Sequence, residues 1–192
     1  MGNLFKKLQY DTIYHEHHYY YSLESIQNLL AKYNLYIFDV EKIKIHGGSF
    51  RIYVRKSNKS VTKSKRLLTE IKKELEMNLY SFKSLKKLNS DVKKTKINAI
   101  KYLKRLKSSN VKISAYGAAA KGNTFLNYCK MNSETIDYVY DNNKLKQNKF
   151  LPGSRIKSLD PKMIKEEIIK TYNFAKTWGC KFLVLLPKIK KY

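Results

Sequence analysis

No stretch of the 192 residues is apolar over the length a membrane-crossing helix needs, so no membrane partner is expected. The N-terminus, MGNLFKKLQYD, lacks the apolar core of a signal peptide, and the chain reads as cytoplasmic. Cysteine is nearly absent. Cys129 and Cys180 are the two, and neither has a CxxC partner, which argues against a disulfide framework or a structural zinc. Acidic residues are few: 15 stand against 40 Lys and Arg, for a net charge of +25. Arginine is scarce within that excess, at Arg51, Arg55, Arg66, Arg105 and Arg155 only. Specific reading of phosphates and bases favours the planar arginine fork, and the lysines here are spread along the whole chain. Nucleic acid is therefore not the expected partner, although charge alone keeps a basic nucleic-acid binder as an alternative. No internal repeat or low-complexity segment is present, and a 43% hydrophobic share is enough for a packed core.

Periodicity organises what remains. Leu8 to His17 reads as a strand entering a polar turn. Ser22 is placed to cap a helix carrying Leu23, Ile26, Leu30 and Tyr33 at helical spacing. LYIFDVEKIKI from Leu35 and SFRIYVRK from Ser49 read as two strands of a long hairpin, interrupted by His46, Gly47 and Gly48. Val61 to Ser109 is helical. One stripe is Leu68, Ile71, Leu75, Leu79 and Phe82; another is Ile97, Ile100, Leu103 and Leu106; a break is expected at Asn89–Ser90. The last third alternates: a strand from Val111 to Gly117, a helix from Asn123, a strand from Thr135, and a Pro-Gly turn in LPGSRI. A helix over Pro161–Thr177 and a buried strand from Cys180 follow. That order predicts a parallel sheet with flanking helices.

Three clusters could carry chemistry. In Tyr14-His15-Glu16-His17-His18, a strand would put His15 and His17 on one face and Tyr14, Glu16 and His18 on the other. Metal binding, a structural strand end and acid–base chemistry all remain open for these residue types. The spacing is not HExxH and no second acidic or cysteine cluster is present, so no metal ligand set is assigned. For acid–base work a histidine titrates near neutrality, a carboxylate can orient it, and a tyrosine can donate to a developing oxyanion. The second cluster is His46-Gly47-Gly48-Ser49 with Arg51, where paired glycines admit either a close ligand or a simple bulge. The third runs Tyr116-Gly117-Ala118-Ala119-Ala120-Lys121-Gly122-Asn123. A strand, a small-residue turn and a helix start would offer backbone N–H groups to a phosphate, or merely allow tight packing. It is neither a Walker A loop nor GxGxxG. Asp141 ends the next strand, 19 residues after Gly122, where an acid can reach a ribose.

Four segments in order carry a family resemblance. YDTIYHEHHYYYSLESIQNLLAKYNL, FDVEKIKIHGGSFRIY, YGAAAKGNTFLNYC and DNNKLKQNKFLPGSRI resemble the C-terminal part of the nucleotide-hexose C-methyltransferases, over nearly the whole chain. Members of that family join a zinc module, a domain that binds S-adenosylmethionine (SAM), and a Rossmann-like C-terminal domain that helps to hold a nucleotide-linked sugar. The resemblance implies an α/β chain in three parts. Residues 1–56 would be the last strands of a truncated SAM-methyltransferase sheet, 57–109 a helical linker, and 110–192 the Rossmann-like domain. It implies His17 as general base with Tyr14 and Glu16 beside it, removing a proton next to a sugar ketone so that the enolate takes the methyl of SAM. His46, Gly47, Gly48, Ser49 and Arg51 would lie in the last hairpin of the methyltransferase sheet. Tyr116, Gly117, Ala118, Lys121, Gly122, Asn123 and Asp141 would line the sugar-nucleotide side.

The sequence also departs from the family. It starts a few residues before the YDTIYHEH motif, without the zinc module or the glycine-rich SAM loop. The expectation is a truncated or split enzyme, inactive alone or completed by a separate chain that supplies the zinc and SAM domains. SLDPKMI runs straight into KEEIIKTYNFAKTWG, where the family has another strand, so the last sheet is expected one strand short. A non-catalytic module binding nucleotide-linked sugars is the alternative.

Overall fold

A computed structural model describes residues 1–45, 48–57, 59, 61–109, 112–163 and 183–186. The fold is mixed α/β. Two compact units divide it: Met1–Gln9 with Tyr19–Asn89, and Tyr10–His18 with Ser90–Tyr192.

The first unit packs helices on a two-stranded hairpin. Helix α1 is Gly2–Lys6 and α2 is Leu23–Ala31. Ser22 caps α2 as expected: its side chain accepts from the Ser25 N–H, and Ser25 reciprocates in a capping box. Strands β1 (Leu35–Ile43) and β2 (Ser49–Lys56) pair antiparallel, with a bulge between Ile37 and Asp39. Leu23, Ile37, Val40 and Leu67 form the core, flanked by Ile26, Leu30, Phe50, Ile52, Val54 and Ile71.

Helix α3 (Lys65–Glu76) presents a different face from the one the spacing predicts. Leu67 is fully buried, whereas Leu68 and Leu75 are 51% and 59% exposed. The inward face is Leu67, Ile71 and Glu74, and the acid hides that stripe from a search for apolar periodicity. Glu74 is 3% exposed because its Oε2 accepts from the Leu23 N–H at 2.7 Å and from the Tyr80 hydroxyl at 3.1 Å. Leu79 is buried as expected, while Phe82 is exposed.

The helical break also moves. It falls at residues 77–81, where Asn78 turns to φ +49° and the Ser81 Oγ accepts from the Ser84 N–H. Asn89 and Ser90 ride inside an uninterrupted α4, Phe82–Ser108. Its buried positions are Val92, Ala99 and Leu103, and Ile97 is exposed.

In the second unit the sheet order is β5-β4-β3-β6. Strand β3 is Lys112–Tyr116, β4 is Tyr138–Tyr140, β5 is Ser158–Leu159 and β6 is Leu183–Leu186. Pair β3–β4 is parallel, as predicted, and β4–β5 is parallel too, but β6 joins β3 antiparallel. A continuous apolar run in the sequence reads the same in either chain direction, so the pattern could not distinguish them. β5, two residues long, lies where the sequence predicts no strand. Helix α5 starts at Ala120, three residues before the predicted Asn123, and ends at Tyr128. Of the helix expected over Pro161–Thr177, Pro161–Met163 is a 3-10 turn and 164–177 lies outside the described residues. Asp137 accepts Lys107 Nζ on both oxygens and the Ile113 N–H at 2.8 Å, which joins α4, β3 and the entry to β4.

The segment Leu8 to His17 is not a strand. Leu8 has φ +48°, Tyr10–Thr12 is a 3-10 turn, and the His17 N–H donates back to the Tyr14 carbonyl at 2.8 Å. Alternation therefore does not decide which of these side chains meet.

Replacing Glu74 by Ala strands the buried Leu23 N–H, at a cost of about 1–3 kcal/mol. Urea unfolding should show a lower midpoint at an unchanged slope; an unmoved midpoint would contradict this role. Asp39 gives a second test. Hydrogen bonds from Arg66 and Ser64 hold its carboxyl down at about 2. A depressed folded value means its contribution is complete above the unfolded value of 3.8 and drains away as pH falls toward 2. Carboxyl ¹³C titration should place Asp39 near 2, and Arg66→Gln should return it toward 3.8.

Candidate functional site

The second unit brings together two of the three clusters. The reversal after the 3-10 turn brings the Tyr14 ring against His17 at a tilt of 33°, with ring centroids 4.4 Å apart. His17 Nδ1 lies 2.9 Å from the Thr12 carbonyl, which can only accept, so the tautomer assigned from this bond has its proton on Nδ1. Nε2 is then the basic nitrogen, and the Tyr14 hydroxyl lies 3.4 Å from it. His17 and Tyr14 are half-buried.

Glu16 sits elsewhere. It is exposed, and its nearest ionic contact is His15 Nε2 at 3.9 Å, with His15 85% exposed. The group that orients His17 is thus a backbone carbonyl rather than the neighbouring carboxylate. Among the described residues, no group of three or more His, Cys, Asp or Glu is placed to hold a metal ion. Burial pushes the Cys129 thiol up to about 12, which removes it as a nucleophile.

The small-residue turn follows β3. Gly117 takes φ +90°, a conformation a side chain would resist, and its N–H donates to the Tyr140 carbonyl at 2.6 Å. Ala119 occupies the N-cap of α5 without a side-chain cap. The first-turn N–H groups of α5 thus lack the side-chain acceptor that Ser22 gives α2. A Cβ on Gly122 would meet the Gly117 oxygen at 3.7 Å, an ordinary contact, so packing alone does not demand glycine there. Tyr116 is exposed, and Asn123 donates its N–H to the Ala119 carbonyl.

Asp141 directly follows β4 rather than ending it, and its carboxylate is turned toward the chain. One oxygen accepts the Ala118 N–H at 2.6 Å and the other the Asn143 N–H at 2.7 Å. Lys146 closes the same corner, 2.7 Å from the Ala118 carbonyl and 3.8 Å from Asp141. Asp141 therefore fixes the turn that faces the α5 N-terminus.

Asp11 is absent from the sequence-based assignment. It lies in the 3-10 turn, 6% exposed. Burial raises its carboxyl above the ordinary value, and the Lys121 charge opposes that rise. A lone acid beside an apolar run gives no periodic signal, so only the fold reveals it.

The glycine cluster belongs to the first unit. Gly48 has φ +114°, the Ser49 hydroxyl donates to the Ile45 carbonyl, and Arg51 pairs with Glu41 across the hairpin at 3.0 Å. His46 and Gly47 lie outside the described residues.

Residues 44–187, three quarters of the chain, match the family model described as the C-methyltransferase C-terminal domain. That match takes in β2, α3 and α4 as well as the second sheet, and begins after His17. The chain is also similar to the C-methyltransferase NovU of Streptomyces niveus, at 27% identity over 158 residues. The aligned part is 82% of this chain and 38% of that protein, so the chain spans about two fifths of the relative's length. No helix among the described residues is long and apolar enough to cross a membrane.

The clamp at Asp141 predicts that Asp141→Ala, which removes the acceptor of the part-buried Ala118 N–H, costs about 1 kcal/mol. Limited proteolysis should then cut first within residues 142–150. An unchanged cleavage pattern would count against the clamp.

Proposed function

The chain belongs to the family of the C-methyltransferase C-terminal domain, and on that premise we propose that it is the C-terminal portion of a SAM-dependent C-methyltransferase acting on a nucleotide-linked keto-sugar. The observation that carries this reading is the Tyr14–His17 pair, with Nδ1–H directed at the Thr12 carbonyl and Nε2 left as the base. Nε2 takes the proton from the carbon next to the sugar ketone. The Tyr14 hydroxyl donates to the oxygen that gains charge as the C–H bond breaks. SAM, when bound, supplies the methyl group that the enolate carbon takes. The 192 residues contain no glycine-rich loop of the kind that holds SAM, so that site is assigned to a domain outside them, on the same polypeptide or on a partner chain.

The uncapped N-terminus of α5, the turn fixed by Asp141 and the exposed Tyr116 support a place for the nucleotide-linked part of the substrate. We read β3, β4 and β5 with α5 as the parallel half of a Rossmann-like unit, which suits the same ligand. The uncapped α5 terminus would also serve a module that binds a nucleotide-linked sugar without catalysis.

Catalysis separates the two readings. When the chain is combined with a SAM-binding domain of this family, His17→Ala should lower methyl transfer by about 10²–10⁴-fold. It should also abolish solvent deuterium exchange at the carbon beside the ketone. Exchange at the wild-type rate would remove His17 as the base and leave the binding-module reading. Submicromolar SAM binding by the chain alone, measured calorimetrically, would overturn the assignment of the SAM site elsewhere.

A further inference from the structure

The β1–β2 hairpin of the first unit has two carboxylates, and both are engaged. Glu41 Oε2 accepts from Arg51 Nη1 and from the Tyr53 hydroxyl, each at 3.0 Å. Asp39 accepts from Arg66 and Ser64. Arg55, opposite Tyr36 in the register, pairs with no carboxylate among the described residues. Its guanidinium lies over the Phe38 ring instead, 5.4 Å from the centroid. Phe38 is the residue that the bulge between Ile37 and Asp39 leaves without a partner on β2. Beyond β2 the chain is tied back to β1 and its approach at two points. The Ser57 N–H donates to the Asn34 carbonyl at 3.0 Å, and the Ser64 N–H to the Phe38 carbonyl at 2.8 Å. Between these ties Phe38, Arg55, Ser57, Val61 and Thr62 line an open cleft of about 260 Å³.

We propose that this cleft binds a phosphoryl oxyanion, with the Arg55 guanidinium as its cation and the Ser57 and Thr62 hydroxyls as further donors. Nothing in this depends on methyl transfer or on the reading of His17. The cleft offers donors and a positive charge, and no lining residue is acidic. A guanidinium laid on a ring spends its flat face there and keeps its in-plane N–H groups. That planar fork matches two oxygens of a phosphoryl group. Arg55 is one of five arginines in a lysine-rich chain, so a fork placed at a cleft is not a product of composition. Ser57 Oγ already accepts the Lys59 N–H at 3.1 Å, which orients the oxygen and leaves its proton to donate. The Thr62 hydroxyl makes no hydrogen bond among the described residues. Lys56, Lys59 and Lys63 are exposed on the same stretch and raise the local concentration of anions. Phe38 and Val61 add an apolar wall, which suits an organic group carrying the phosphoryl.

The test is a ¹H–¹⁵N titration of the full chain with inorganic phosphate, and separately with UDP, at constant ionic strength. The Arg55 Nε–H and the Ser57 and Thr62 amides should shift together and saturate with one shared Kd. Arg55→Gln should weaken phosphate binding by roughly tenfold or more, and Thr62→Val by roughly threefold or more. Lys101→Gln, which removes one exposed cation from α4, should leave the affinity within about twofold of the wild type. Tighter binding of UDP than of phosphate names a nucleoside diphosphate as the occupant; equal or weaker binding names the phosphoryl group alone, and both support the site. Phosphate shifts that never saturate, or that spread over the lysines of the whole chain with one midpoint, overturn it. So does wild-type affinity in Arg55→Gln. If Arg55→Gln disturbs the hairpin amides, Thr62→Val decides, since it keeps the shape of the side chain: unchanged affinity there overturns the site, and weakened affinity supports it.

Discussion

The Glu74 carboxylate takes the N–H of Leu23, 51 residues away, and the same arrangement recurs in the second unit. Asp137 takes the N–H of Ile113, and Asp141 takes that of Ala118, at separations of 24 and 23 residues. Each bond ties the start of a helix, a strand or a turn to a distant element through a backbone donor. In a chain with 40 cationic and 15 acidic side chains, almost any surface contact can find a lysine, so lysines select little. The scarce carboxylates select a great deal. A buried N–H must have an acceptor, and each acid placed beside one excludes other ways of assembling its unit.

Much of the fold was legible because period and residue type agree. The β1–β2 hairpin, the Ser22 cap on α2, and the β3–turn–α5–β4 order all follow from alternation, capping chemistry and small residues at a turn. The rest was hidden for particular reasons. Glu74 sits on a core face and disguises the stripe of α3. Asn78, rather than Asn89, breaks the helix, and the choice rests on a left-handed turn that two similar residues could equally make. β5 is too short to have a period. The segment before α2 folds by i to i+3 bonds among polar and aromatic residues, which alternation mimics.

The candidate site shows the same division. Tyr14 and His17 were legible as residue types, but their pairing comes from the reversal and not from a shared strand face. Glu16 looked like the orienting group because it is adjacent in sequence; the acceptor is the Thr12 carbonyl, which every residue possesses and no motif can flag. Asp141 was recognised by its position after β4, yet its oxygens serve the chain's own N–H groups. The family match over 44–187 and the Tyr14–His17 geometry are independent, since the matched residues begin beyond the latter.

Helix α4 runs 27 residues, roughly 40 Å, with Asp91 as its sole acid. Lys83, Lys86, Lys87, Lys93, Lys94, Lys101, Lys104 and Arg105 are all exposed along it, many three or four positions apart. Like charges at that spacing push against the helix, and mobile ions within a Debye length relieve them. The Asp39–Arg66 pair is weakened by the same ions. Ionic strength therefore acts with opposite sign on two parts of one chain: dilute buffer strains the long helix, and concentrated salt loosens the hairpin's tie to α3.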